Sequence, residues 1–243
     1  MKTQKPPVIS VRKRPLQARS TQLVADILEA AVRVLASDGA RHFTTARVAE
    51  KAGVSVGSLY QYFPNKEAIL FRLQADEWQE TRELLERILA DSTRPPFERL
   101  RGAVQAFFLT EWQEAEFRKA LNDATPLYRD TPEAHENWKA GTRCALVFMN
   151  EALPQAPVED RAFAADMVMT VMSAVGERIS EQTRSESEVN AMAVAIGEMF
   201  CAYLEGIKYR RKGAGPNAIN LREILVLSNP YGFPAGVAAA MLF

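Results

Sequence analysis

Between about residue 20 and about residue 211 the apolar residues recur at helical spacing, and no stretch of useful length alternates as a strand would. This excludes a sheet-based fold for most of the chain and predicts an all-α protein. Composition permits a real core. The chain has 243 residues, 47% of them hydrophobic and 25% charged, which is long enough for one or two domains and too apolar to remain disordered.

Glycine and proline divide the pattern. Val24, Ile27, Leu28, Ala31 and Leu35 form one stripe of a first helix, and Gly39 marks its stop. Thr44 and Thr45 are N-cap candidates for a short helix through Val48, Ala49 and Ala52. Gly53 breaks that helix, and Ser55 is placed to cap another through Leu59 to Tyr62. Phe63-Pro64-Asn65-Lys66 reads as a turn into a long helix over about 66–90. One or two aromatic-rich helices follow over about 97–121, then others over about 133–152, 158–182 and 186–211. Ser185 and Glu188 have the spacing of a capping box at the start of the last. Residues 213–243 break the pattern, with Pro216, Pro230 and Pro234 and an apolar finish, and have no assigned role.

Thirty basic and thirty acidic residues give a net charge of zero, which argues against a nucleic-acid partner. Counting by segment reverses that argument. Residues 1–72 hold twelve basic and five acidic residues, a balance of +7, and the remainder carries −7. The first nineteen residues contain six basic groups and no acid. Such segregation suggests a nucleic-acid surface at one end, the alternative being a solvated basic tail.

The stretch from Phe43 to Leu70 carries the chemistry. Two short helices meeting at a glycine-containing turn form a helix-turn-helix pattern. Leu59 and Phe63, four residues apart, point inward. Val56, Gly57, Tyr60 and Gln61 remain on the outer face, with Ser58 at its boundary. That face suits a DNA groove. Gly57 lets backbone approach, and Val56 suits a thymine methyl. Tyr60, Tyr62 and Lys66 suit phosphates, and Thr45 with its helix N-terminus is an anion site. Arg47 is the arginine placed for a base edge or phosphate, with the basic arm reaching for a minor groove.

This stretch strongly resembles the DNA-binding domain of TetR-family transcriptional repressors. The resemblance rests on Thr44-Thr45, Val48-Ala49, Ala52-Gly53-Val54, Leu59-Tyr60, Tyr62-Phe63 and Asn65-Lys66. Val56-Gly57 departs from it, since many members carry larger polar groups there. The expected organisation is a basic arm (1–19), a three-helix helix-turn-helix domain (20–72), a helical effector-binding and dimerisation bundle (73–212) and the tail (213–243). The resemblance implies a homodimer joined through the last two long helices and a pocket for a small-molecule effector. A dimer also satisfies DNA geometry, because two recognition helices about 34 Å apart read a palindromic operator. Phe163, Met167, Val171, Ala174 and Val175 on one helix are dimer candidates, with Val189, Met192, Ala193, Ile196, Phe200, Tyr203 and Leu204 on the other. Phe108, Trp112, Phe117, Trp138, Phe148 and Met167 are the apolar candidates for the pocket, with Asn122 and Thr170 to orient a largely apolar ligand.

The expected function is a ligand-released repressor binding double-stranded DNA. A non-allosteric regulator or an activator fits the same residues. A serine hydrolase is the rival from another class, because Gly53-Val-Ser-Val-Gly57 matches the nucleophile-elbow pattern. That pattern requires a preceding strand, and Glu50-Lys51-Ala52 reads as helix. The expectation is therefore no enzyme. His42 and His135 lack metal-spaced partners, so neither a metal nor a cofactor is expected. Cys144 and Cys201 are too few for a disulfide scaffold and fit a reducing compartment. No apolar run reaches about 18 residues, and Met1–Ser10 lacks a signal-peptide core, so no membrane partner and a cytoplasmic location are expected.

Overall fold

A computed structural model describes residues 7–12 and 18–210, leaving out the side chains of Asn137, Trp138, Tyr209 and Arg210. The expectations for the rest of the basic arm, for the tail 213–243 and for the Trp138 side chain lie outside the described residues. The described chain is all-α, with α1 Ala18–His42, α2 Thr45–Ala52, α3 Val56–Tyr60, α4 Lys66–Leu89, α5 Pro96–Gln113, α6 Ala115–Ala124, α7 Pro132–Ala152, α8 Val158–Glu181 and α9 Glu186–Arg210. A short 3-10 turn, Thr125–Leu127, follows α6. The helical order of α1 breaks at Gly39, whose φ of 69° and ψ of 170° suit a residue without a Cβ. The aromatic-rich stretch is two helices, because the backbone turns at Glu114 (φ −107°, ψ 19°). At the start of α9 the capping box is complete. The Ser185 hydroxyl accepts the Glu188 N–H at 3.3 Å, and the Glu188 carboxylate accepts the Ser185 N–H at 2.8 Å.

The described residues form two compact units. One comprises residues up to Glu83 together with Thr110–Asn137 and Ile179–Thr183, and the other comprises Leu84–Leu109, Trp138–Arg178 and the residues from Arg184. In the first, Ile27, Leu35, Phe43, Leu59, Phe63, Ile69, Leu70, Leu121 and Tyr128 pack into one core. The helix-turn-helix therefore shares its core with α6, and Phe117 of α6 packs against it.

A charged cluster is buried in the same unit. Arg118 on α6 is 7% exposed. It ion-pairs with Glu77 of α4, with Glu111 of α5 at 2.9 Å and with Glu114 at 3.0 Å. It also donates to the Thr81 hydroxyl at 3.0 Å. Thr81 donates to Glu77 at 2.9 Å, the Gln74 amide donates to Glu77 at 3.0 Å, and the Tyr128 hydroxyl donates to Gln74 at 3.3 Å. Each buried charge is thus hydrogen-bonded, as burial requires.

In the second unit Arg99 is the corresponding anchor. Its buried guanidinium donates to the Leu89 carbonyl, ion-pairs with Glu151 and lies 5.9 Å from the centroid of Phe148. On α9, Val189, Ala193, Phe200 and Leu204 are buried within this unit, whereas Ala191, Val194, Ala195, Met199 and Ala202 are exposed. Four of the α9 residues expected at a dimer interface are thus core. Alternate sides of one helix are apolar, and periodicity alone does not assign them.

Candidate nucleic-acid interface

The reading element is built from two caps and a stop. Thr44, in extended conformation, accepts the Arg47 N–H at 3.3 Å and caps α2. The helix ends at Gly53, which is left-handed at φ 67° and ψ 28°. There the Gly53 N–H donates to the Glu50 carbonyl and the Val54 N–H to the Ala49 carbonyl, a Schellman closure. Glycine at 53 is required by backbone conformation rather than space, since a Cβ there meets nothing within 4 Å. Gly53→Ala is expected to cost about 1 kcal/mol, checked by the shift in urea midpoint.

Ser55 then caps α3, its hydroxyl accepting the Ser58 N–H at 3.0 Å. The residues before it are helix α2 and its C-cap, so the Gly-x-Ser-x-Gly match lacks the strand that a nucleophile elbow needs. Leu59 and Phe63 are fully buried and seat α3 on the core, as their spacing predicted.

The opposite face of α3 is open. Val56 is 41% and Tyr60 38% exposed, large values for apolar side chains on a helix of five residues. Gly57 and Gln61 are exposed, and Ser58 is half-buried. A Cβ at 57 would meet only the Ser55 hydroxyl, at 3.8 Å, so nothing in the chain's own packing demands glycine there. The Tyr60 hydroxyl and Thr45 Oγ1 share a hydrogen bond of 3.1 Å, which ties the end of α3 to the start of α2. Lys66 begins α4 and is half-buried.

Two expected contacts sit differently. Tyr62 is only 5% exposed and belongs to the core, because the turn after Tyr60 carries it inward beside Phe63. Arg47 is exposed, but one edge of its guanidinium is taken by Asp38 at 2.6 Å. The Ser37 hydroxyl and the Arg47 guanidinium hold the Asp38 carboxyl below the usual carboxylate range. Asp38 is nine residues before Arg47, beyond the Gly39 break, and helical spacing does not signal the pair.

A second feature absent from the sequence reading is a strap formed by residues 8–12. Ile9 is buried in the core, at 2% exposed. The Val8 carbonyl accepts from the Asn65 side-chain amide at 3.0 Å, and the Arg12 N–H donates to the Tyr62 carbonyl at 2.8 Å. Arg12 Nη1 donates to the Tyr60 carbonyl at 3.3 Å. Asn65 also accepts the Ala68 N–H at 2.8 Å, so one side chain caps α4 and holds the strap.

The effector candidates divide between the units. Trp112 and Phe117 are half-buried and Asn122 is exposed in the first; Phe108 and Phe148 are buried, Thr170 half-buried and Met167 exposed in the second. Phe117 packs on the helix-turn-helix core, and Asn122 lies on the outer side of α6. Among the described residues, no cluster of three or more His, Cys, Asp or Glu could hold a metal, and no helix is long and apolar enough to cross a membrane.

Known proteins agree with this arrangement. Residues 27–73 match the family described as bacterial regulatory proteins, tetR family, and residues 95–207 match the tetracyclin repressor-like C-terminal domain. The chain belongs to the TetR family of transcriptional regulators, and is a DNA-binding regulator rather than an enzyme. It is 36% identical over 85 residues to the HTH-type transcriptional repressor KstR2 of Mycobacterium tuberculosis, covering 34% of this chain and 41% of that one. It is 45% identical over 47 residues to the fatty acid metabolism regulator protein of Bacillus subtilis, covering 19% and 24%. The match thus spans about two fifths or less of these relatives.

Among solved structures, a TetR-family transcriptional regulator from Pectobacterium atrosepticum aligns at a TM-score of 0.62 and 17% identity, over 78% of this chain and 97% of that one. The regulator FadR from Bacillus subtilis in complex with stearoyl-CoA aligns at 0.58 and 20% identity, over 73% and 97%. At these identities the likeness is one of fold.

Proposed function

We propose that the chain is a cytoplasmic, homodimeric repressor that leaves a palindromic operator when a small, largely apolar ligand binds its helical body. The observation that carries the DNA part is the open face of α3, where Val56 and Tyr60 are exposed on a helix whose other side is locked into the core. Thr45, Val56, Gly57, Ser58, Tyr60, Gln61 and Lys66 form the docking face, and Arg47 joins it from α2. The +7 balance of residues 1–72 supplies the long-range attraction, and the acidic remainder orients it.

The exposed side of α9, with Val194 62% and Met199 47% exposed, supports a second copy of this chain as partner, as does exposed Met167 on α8. The ligand class is supported by buried Phe108, Phe148, Met149 and Met172 of the second unit, and by the stearoyl-CoA held by the Bacillus subtilis neighbour. A ligand shifts operator binding only through its differential affinity for the bound and free forms.

Selecting bound sequences from a random DNA pool is the test. A dyad-symmetric site is expected, with half-sites one helical turn apart; no enrichment, or an asymmetric half-site, overturns the reading. On the selected site, Tyr60→Ala and Lys66→Ala are each expected to weaken binding about five-fold with the dimer intact. Unchanged affinity in both would place the docking face elsewhere. If saturation with a ligand that binds the body leaves operator affinity unaltered, the release mechanism fails.

A further inference from the structure

We propose that Arg12 is a DNA-backbone contact, delivered to the end of the recognition helix by the strap of residues 8–12. The inference rests on the DNA-binding reading of α3 and gives the end of that helix a cation that the helix does not carry itself.

From Ala52 to Asn65 there is no basic residue, so the recognition helix and its flanking turns carry no positive charge of their own. Arg47, the α2 cation expected at this face, has its charge opposed by Asp38. Arg12 is exposed, and its guanidinium rests against the carbonyl of Tyr60, the last residue of α3. A guanidinium has five N–H donors in a planar fork, so one bond to a carbonyl leaves donors for a phosphate. The same residue's backbone is fixed to Tyr62, and the strap is fixed to Asn65, which directly precedes Lys66. Arg12, Tyr60 and Lys66 are therefore gathered around one short turn at the C-terminal end of α3.

The anchoring is stronger than a tail resting on a surface requires. Ile9 is buried among the core residues, and three hydrogen bonds join the strap to residues 60, 62 and 65. A side chain fixed this way loses little freedom on meeting DNA, which favours a defined phosphate contact over diffuse attraction. Phosphate contacts position a reader without selecting sequence.

The experiment uses full-length wild type, Arg12→Ala, Arg12→Lys and Ile9→Ala, titrated by fluorescence anisotropy against the selected site and a scrambled duplex, from about 50 to 200 mM salt. Arg12→Ala is expected to lower the slope of log affinity against log salt by about 0.9 per protomer, and to weaken both duplexes by the same factor. Arg12→Lys should keep the slope. Ile9→Ala, which leaves the charge and removes the anchor, should lose part of it. A wild-type slope in Arg12→Ala overturns the contact, and so does weakening confined to the selected site. Loss in Arg12→Lys equal to that in Arg12→Ala shows that Arg12 acts only on the turn and overturns it as well. A full slope in Ile9→Ala overturns the strap's part. Wild type that captures neither duplex overturns the DNA reading beneath, whereas failure of the Arg12 variants alone leaves that reading standing.

Discussion

Replacing Arg118 by methionine is expected to lower folding stability by about 3–5 kcal/mol. Methionine keeps the length and the packing of the stem, so the loss reports the charge. Arg118 touches three carboxylates, and the side chains of two of them, Glu77 and Glu111, are 7% and 10% exposed. Without the guanidinium those two acids face each other in a site that excludes water, and both must protonate or the site must open. The intact cluster is not thereby a net source of stability, since bringing the charges in from water offsets most of their attraction. A triple variant, Arg118→Met with Glu77→Gln and Glu111→Gln, should therefore recover much of the loss. Urea titration of the three proteins checks both points. A single variant within 1 kcal/mol of wild type would show that the cluster is open to water. Because Leu121 and Ala124 of α6 are part of the core that also seats α1 and α3, operator affinity should fall with the same variant.

That cluster also shows where sequence reading ends. The helix order, the caps at Thr44 and Ser55, the stop at Gly53 and the inward Leu59 and Phe63 were all legible, because each depends on residues within about five positions of one another. The structural surprises depend on partners that lie far apart or beyond a break. Arg12 meets Tyr60 across 48 positions, and Val8 meets Asn65 across 57. Arg118 meets Thr81 across 37. No periodicity encodes such pairs. Tyr62 shows what a helix end does to burial. It reads as a phosphate ligand beside Tyr60, and the structure seats its ring in the core because α3 ends at Tyr60 and the backbone changes direction. The face of α3 was legible because its pattern is local. The strap beside it was not: the arm reads as a basic segment reaching for a minor groove, and nothing local marks Arg12 as docked on the turn after α3.

The acid Glu111 should make this unit's stability pH-dependent near neutrality. Burial pushes its carboxyl up to about 7, Arg118 pulls it back, and the neighbouring Glu77 pushes it up again. Glu77 is raised as well, chiefly by burial, against the pull of Arg118 and the hydrogen bond from Thr81. The charged or titratable groups around Glu111 are Arg118 on α6, Glu77 on α4 and Glu114 at the start of α6, with Tyr128 reached through Gln74. An acid whose value is raised on folding holds more protons in the native state than in the unfolded one. Its stabilising contribution is complete below the ordinary carboxylate value of about 4.5 and is lost as pH rises through about 7. For one group this amounts to roughly 1 kcal/mol between pH 6 and pH 8. The acids held below their ordinary value, Asp38, Glu151, Glu188 and Glu198 among them, act in the opposite sense but in a separate window, below about pH 4.5. The urea midpoint of wild type is therefore expected to fall from pH 6 to pH 8, and that of Glu111→Gln to fall less steeply, since the amide keeps the shape and loses one titration while Glu77 stays raised. Equal slopes in the two proteins would place the neutral-pH titration on another group, and a wild-type midpoint that rises toward pH 8 would mean that Glu111 is ionised at low cost within the fold.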